Sequence, residues 1–218
     1  MNWTCLRPFP WLDTRAQFVA QSPPSGTLLD LGSSDGETLG HIAELRPDLK
    51  LFAADKCGVP EEYPSPCEFR RADFERDALP WPDRSMDVIT CMHLVEHLHG
   101  LDLLLREIAR VLKPGGSVYF ETPHPKSLTL PSRRDQAAGD FTFNFYDDPT
   151  HVRLVPIDAL AREVQRAGLR VGATGTSRNW LFAAAHLVFV CLPPSRKKFT
   201  AHVHWLGWSA FLIADRPQ

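Results

Sequence analysis

Gly32, Ser34 and Gly36 punctuate the stretch Leu28-Leu29-Asp30-Leu31-Gly32-Ser33-Ser34-Asp35-Gly36, and Asp55 closes the next apolar run. A buried strand that delivers a turn of small residues lets main chain approach a ligand closely. The helix that follows such a turn opens with free N–H groups. A carboxylate on the neighbouring strand can accept bonds from two vicinal ribose hydroxyls. These parts together make a cradle for a nucleotide-like ligand. Gly32, Gly36 and Gly40 stand four apart, so the dinucleotide pattern G-x-G-x-x-G is absent. Lys56, next to Asp55, lies either along a base edge or in solvent. Proton transfer would fall to histidine, whose proton affinity lies near neutrality. The candidates are His93, His97, His124 and His151, each of which is otherwise a capping or surface residue. No group of side chains shows metal-ligand spacing, and no metal is expected.

The elements that must position these residues read as alternating strands and helices. A short helix is expected within residues 12–20, before Pro23-Pro24. Thr27–Leu31 is a continuous apolar run ending in a turn, the pattern of a strand buried on both faces. Leu39, Ile42 and Leu45 recur at helical spacing and Pro47 closes that helix. Residues 49–54 form a second strand, and Phe69 sits in a short third. Pro60, Pro64 and Pro66 leave little helix between them. Residues 87–91 form a fourth strand. Leu101, Leu104, Leu105, Ile108 and Leu112 make a helical stripe, which Pro114-Gly115-Gly116 ends. Strands follow at 118–121, 169–174 and 208–214, with a helix through Ile157, Leu160, Ala161 and Val164. This order predicts an α/β fold: a doubly wound, mostly parallel seven-stranded sheet, helices on both faces and an antiparallel last strand.

Five segments in this order resemble the class I, Rossmann-like S-adenosylmethionine-dependent methyltransferases. They are the glycine turn, Asp55, Arg71-Ala72-Asp73-Phe74, the strand-four stretch from Ser85 to Leu98 with its Glu96-His97 pair, and Leu112-Lys113-Pro114-Gly115-Gly116. The resemblance covers residues 26–122, and 150–174 more loosely. It implies S-adenosyl-L-methionine as cofactor and S-adenosyl-L-homocysteine as product. It implies that Asp30 lies near the amino group of the methionine moiety and that Asp73 and Phe74 hold the adenine. Residues 91–93 then flank the transferable methyl. On this reading the cofactor residues are Asp30, Gly32, Ser34, Gly36, Asp55, Lys56, Asp73, Phe74 and Cys91. Where the family often has a middle glycine, this chain has Ser34. The Asn/Asp-Pro-Pro-aromatic signature of nucleobase or glutamine amino-group methylation is absent. The implied reaction is methyl transfer to a small-molecule acceptor at oxygen, with His93, His124 and His151 as candidate bases. A non-catalytic cofactor-binding protein and a nicotinamide-dependent oxidoreductase are the alternatives.

The totals agree with that class. The chain has 218 residues, 44% hydrophobic and 23% charged, and a formal charge of −2, so no global field favours nucleic acid and none is expected as partner. Its five cysteines are scattered and include no C-x-x-C pair, which fits a reducing, cytoplasmic setting. No apolar h-region marks a signal peptide. One domain is expected over 1–218. The stretch 125–155, with Arg133, Arg134, Phe141, Phe143, Phe145 and Tyr146, is too long for a plain connection and reads as a lid that selects the acceptor. Residues 180–192 are almost wholly apolar but shorter than the roughly 20 residues a bilayer span needs. They read as a buried core helix; with Arg196, Lys197 and Lys198 behind them, a peripheral membrane or dimer contact over 180–198 is the alternative.

Overall fold

The strand Thr27–Leu31 (β1) shows how the sheet acquires two buried faces. Its alternation sends Leu28 to one side and Leu29 and Leu31 to the other. In the computed structural model, which describes residues 3–130, 143–193 and 195–218, β1 lies between two parallel neighbours. These are Lys50–Asp55 (β2) and Met86–Met92 (β4). Cys67–Arg71 (β3) extends the sheet beyond β2, and Leu112–Pro123 (β5) extends it beyond β4. Ser209–Asp215 (β7) runs antiparallel to both β5 and the edge strand Arg170–Ser177 (β6). The order is β3-β2-β1-β4-β5-β7-β6, seven strands with β7 reversed, as the sequence predicts. Strand order reverses between β1 and β4, so the loops leaving their carboxyl ends diverge and open a crevice there.

Helices cover both faces. Thr14–Ala20 (α1) and Glu37–Leu45 (α2) bury Phe18, Val19, Leu39 and Ile42 with Leu28 and Tyr119. Asp102–Val111 (α3) and Ile157–Arg166 (α4) bury Leu104, Leu105, Ile108, Leu160 and Val164 with Leu29 and Leu31. The start of α1 is fixed twice. Asp13 accepts from the N–H groups of Arg15 (2.9 Å) and Ala16 (3.1 Å), and Asn179 donates to its second oxygen at 2.9 Å. This ties α1 to the far end of β6 and sets the direction of Arg15.

Two elements differ from expectation. Lys113-Pro114-Gly115-Gly116 does not end in a free turn but is the entry to β5. The N–H of Gly115 donates to the Arg216 carbonyl at 2.8 Å, and Arg216 returns a bond to Gly116 at 2.9 Å. Residues 180–192 are not a core helix. Trp180–Phe189 (α5) packs on Arg196–Leu206 (α6), and the pair is inserted between β6 and β7. Leu187 and Val188 are 63% and 65% exposed, and of α5 only Ala183 is buried. A run apolar on all sides reads alike whether the fold covers it or not, and here one neighbouring helix covers a single side. No helix among the described residues is long and apolar enough to cross a membrane. Arg133, Arg134 and Phe141 of the expected lid lie outside the described residues.

Candidate active site

The crevice at the carboxyl ends of β1 and β4 is built from three layers of residues. The first is the glycine turn. Gly32 and Gly36 both have φ +74°, and Ser34 has φ +48°, so three residues of one turn use the left-handed region. The chain itself already demands these glycines. A Cβ on Gly32 would lie 3.0 Å from Cβ of Leu94, and one on Gly36 would lie 2.9 Å from the Tyr63 ring. Asp55 holds the turn to the β2–β3 connection, its carboxylate accepting from the N–H groups of Ser34 (3.0 Å), Cys57 (2.7 Å) and Gly58 (3.1 Å). A carboxylate has about four lone-pair sites, so it keeps capacity for a further donor. Tyr63 closes the layer from above: its hydroxyl donates to the Ser34 carbonyl at 2.8 Å and lies 3.0 Å from Oγ of Ser33. Replacing Gly36 with alanine should cost about 1–3 kcal/mol through backbone strain and the Tyr63 contact. An unchanged urea midpoint would show that the turn relaxes freely.

The second layer is charge under the turn. Register places Asp30 opposite Thr90, whose hydroxyl donates to Oδ1 at 2.6 Å. Asp30 is 3% exposed and pairs with no cation among the described residues. Burial pushes its carboxyl up to about 7, Asp55 adds to that, and the Thr90 bond opposes it. Beside it, Arg15 makes a two-point ion pair with Glu121 of β5, one arm at 2.8 Å. Glu121 also accepts from the Tyr119 hydroxyl at 2.8 Å and faces Nε2 of His93 at 3.3 Å. Burial works against the Glu121 charge, yet Arg15 and His93 hold its carboxyl well below the usual range.

The third layer is histidine. His93 has φ +53° and sits between Glu96 (3.0 Å from Nδ1) and Glu121. Burial would push the imidazolium down; the two carboxylates overcome it and push it up to about 9. An imidazolium held in this way donates from both nitrogens, one to each carboxylate. His151 stacks on Phe145 with ring centroids 4.4 Å apart and lies 4.8 Å from the ring of His97. Both histidines, with His93, line a cavity of about 330 Å³. His93 and Arg15 also line the adjoining cavity of about 320 Å³, which holds Asp30, Gly32 and Ser34. His124 stands apart. It accepts from the Lys126 N–H at 3.1 Å as a helix cap and lines a separate cavity, with no residue shared by the other two.

Residues 7–174 match the family described as a methyltransferase domain, which is most of the chain. The chain belongs to this family. The methyltransferase domain is of class I, with the seven-stranded S-adenosylmethionine-dependent fold. The chain is 29% identical over 159 residues to the biotin biosynthesis bifunctional protein BioHC of Cellvibrio japonicus, covering 71% of this chain and 30% of that protein. It is 36% identical over 96 residues to a ubiquinone biosynthesis O-methyltransferase of Neisseria meningitidis, covering 41% and 38%. The matches thus span well under half the length of these curated relatives. Among solved structures, an S-adenosylmethionine-dependent methyltransferase from Mesorhizobium loti superposes with TM-score 0.65 at 15% identity, over 96% and 98% of the two chains. A chain of the complex between the Haloferax volcanii Trm112 methyltransferase activator and a methyltransferase gives 0.66 at 18%, over 99% and 94%. These structural likenesses show the fold.

The family's cofactor fits what this domain presents. S-adenosylmethionine carries a sulfonium and an α-ammonium group, and the cavity is lined by Asp30, a buried carboxyl that makes no ion pair among the described residues, while the Arg15 and His93 that share its lining are paired with Glu121. Among the expected cofactor residues, Asp30, Gly32 and Ser34 line one cavity, while Gly36 and Asp55 shape its turn. Lys56 reaches from a largely exposed position to Asp73 at 2.9 Å, so these two are joined to each other. Phe74 and Cys91 are buried in the core on the α3 and α4 side, where their side chains pack against the protein. Arg15, Tyr63 and Glu121 belong to the site and carry no short-range signal in the sequence. The hint for Glu121 is a lone carboxylate ending an apolar strand; Arg15 meets it only through the fold.

Proposed function

We propose that this chain transfers a methyl group from S-adenosylmethionine to an oxygen of a small hydroxylated molecule, as one domain working in a reducing, cytoplasmic setting. The observation that carries the reading is the Asp30 carboxyl, which makes no ion pair among the described residues and lines a cavity that shares Arg15 and His93 with a second cavity walled by Trp208, Phe199 and His151. The first cavity suits a cationic methionine moiety and the second an aromatic or other planar acceptor. The match to an O-methyltransferase supports oxygen as the target.

When bound, the cofactor supplies an electrophilic methyl group. Methyl transfer then needs alignment and exclusion of water more than covalent help. Asp30 would hold the ammonium end and Asp55 the ribose. Main chain of the 32–36 turn would lie along the ligand. His93, kept cationic and fixed by two carboxylates, would orient the wall between the two cavities. Incubation with labelled methyl donor and a panel of phenols, catechols, amines and thiols tests the proposal. Labelled product and S-adenosylhomocysteine are expected with hydroxylated acceptors. Transfer to amines alone, or tight cofactor binding with no product from the panel or from cell extract, would overturn it.

A further inference from the structure

Glu96, His97 and His151 offer one ligand atom each, and the three atoms lie within 4.8 Å of one another. Main-chain bonds bring them together. Glu96 and His97 stand on the 3-10 turn after β4, and the N–H groups of Val152 (2.9 Å) and Arg153 (3.3 Å) donate to the Glu96 carbonyl. That pairing lays residues 150–153 across the turn. We infer that Glu96, His97 and His151 form a site for a divalent transition-metal cation whose open positions face the acceptor cavity. The inference deepens the proposed O-methylation and rests on that reading for its role, though not for the site itself.

Three features of the side chains support the assignment. First, both imidazoles have their tautomer set. Nδ1 of His151 lies 2.6 Å from the Phe145 carbonyl; Nδ1 of His97 lies 3.2 Å from the Thr150 carbonyl and 3.0 Å from the Thr150 hydroxyl, whose own hydrogen goes to Asp148 at 2.6 Å. A carbonyl only accepts, so each Nδ1 carries the hydrogen and each Nε2 keeps its lone pair. Metal-bound histidines are oriented in this way, the second ring nitrogen donating to a carbonyl. Second, Glu96 is fully buried, and while His93 holds its Oε1, its Oε2 has no hydrogen-bond partner among the described residues. Buried polar atoms without a partner are rare and call for an occupant. Third, Oδ2 of Asp148 lies 3.8 Å from Nε2 of His151, which places a fourth donor beside the three. His97, Asp148 and His151 all line the 330 Å³ cavity.

Two imidazoles with one carboxylate suit zinc, manganese, iron or cobalt better than calcium or magnesium, which favour all-oxygen sets. Bonds of about 2.0–2.2 Å would draw the donors inward from their present spread. In this role the cation takes the acceptor oxygen as a further ligand and lowers the proton affinity of its hydroxyl. The hydroxyl proton passes to bulk water, the oxygen pair forms the new O–CH3 bond, and the S–CH3 pair stays on sulfur. The site therefore supplies the activation that an acceptor hydroxyl needs.

The test uses the full chain after dialysis against chelator. It is titrated with Co2+, read by visible absorption, and with Zn2+ and Mg2+, read by calorimetry. The expected result is one Co2+ or Zn2+ per chain, with Mg2+ far weaker. His151→Ala and Glu96→Gln should each weaken Co2+ binding about 10–100-fold. S-adenosylhomocysteine affinity, measured on the same samples, should hold in His151→Ala; this reports an intact fold even where Glu96→Gln does not fold. Sub-stoichiometric Co2+ binding, or binding that His151→Ala leaves unchanged, overturns the metal site. Failure of the unaltered chain to bind S-adenosylhomocysteine instead counts against the cofactor reading, and metal uptake then stands or falls separately.

Discussion

Replacing Glu121 with glutamine is expected to lower the folding stability by about 3–5 kcal/mol near neutral pH, the cost typical of removing one partner from a buried charge pair. Glu121 is fully buried, and three groups converge on it: Arg15, Tyr119 and His93. Glutamine keeps the volume, so no cavity opens. It removes the charge and turns an amide N–H toward groups that themselves donate. The Arg15 guanidinium, partly exposed where it lines the cavities, then loses its anion. The pH dependence has a definite sign. The Glu121 carboxyl is held well below its ordinary 4.5, so its stabilisation is fully present above about 4.5 and is lost as the pH falls toward the folded-state value. Urea unfolding should therefore show a large gap between the two proteins at pH 7 that narrows steadily below pH 4.5. Equal midpoints at pH 7 would mean that Arg15 and His93 are not held by this carboxylate. Since α1 is tied at its start to Asn179, the loss should also loosen the wall that Arg15 gives to both cavities.

Much of this architecture was legible in local pattern, and what was not legible depends on distance along the chain. Thr27–Leu31 and the stripe from Leu101 to Ile108 announce their elements because each buried face has its own period. Asp30 and Asp55 stand out because each is a carboxylate in the carboxyl-terminal part of an apolar strand. Pro114-Gly115-Gly116 misled because proline and glycine mark a turn in isolation, whereas Arg216 supplies the partners that make it strand. The apolar run of α5 misled because hydrophobicity reports composition, not which side a neighbour will cover. His93 is legible by its position after strand four, but its carboxylate partners are not. Its charge state is set by Glu121, 28 residues on, and by Glu96. The Glu96, His97 and His151 cluster escaped for the same reason: adjacent ligands are visible as a pair, and the third arrives only when residues 150–153 bond to the turn.

Asp30→Asn should stabilise the free chain and at the same time weaken cofactor binding. The carboxyl of Asp30 is raised to about 7 from an ordinary 3.8, burial being the main cause. For a group raised in the folded state, the sign runs against stability: its contribution is intact below 3.8 and is lost as pH rises through about 7. At pH 8 the ionised Asp30 thus costs the fold roughly 2–4 kcal/mol, because the folded chain holds a proton that the unfolded chain has already released across that whole pH interval. Asparagine carries no charge to desolvate, and its Oδ1 can still accept from the Thr90 hydroxyl. The variant should unfold at higher urea than the parent at pH 8, and the difference should vanish below about pH 4. Binding moves the other way. A charge-assisted bond to an ammonium is worth about 1.5–3 kcal/mol, so affinity for S-adenosylmethionine should fall roughly 10–100-fold. In the parent, an incoming ammonium favours the ionised carboxyl, so binding below pH 7 should release a proton and weaken as pH falls. Calorimetry in two buffers of different ionisation enthalpy reads that proton directly. A variant that is less stable at pH 8, or that binds the nucleoside as the parent does, would remove Asp30 from the site; a gain in stability joined to a loss of affinity is the mark of a buried charge retained for a cationic ligand.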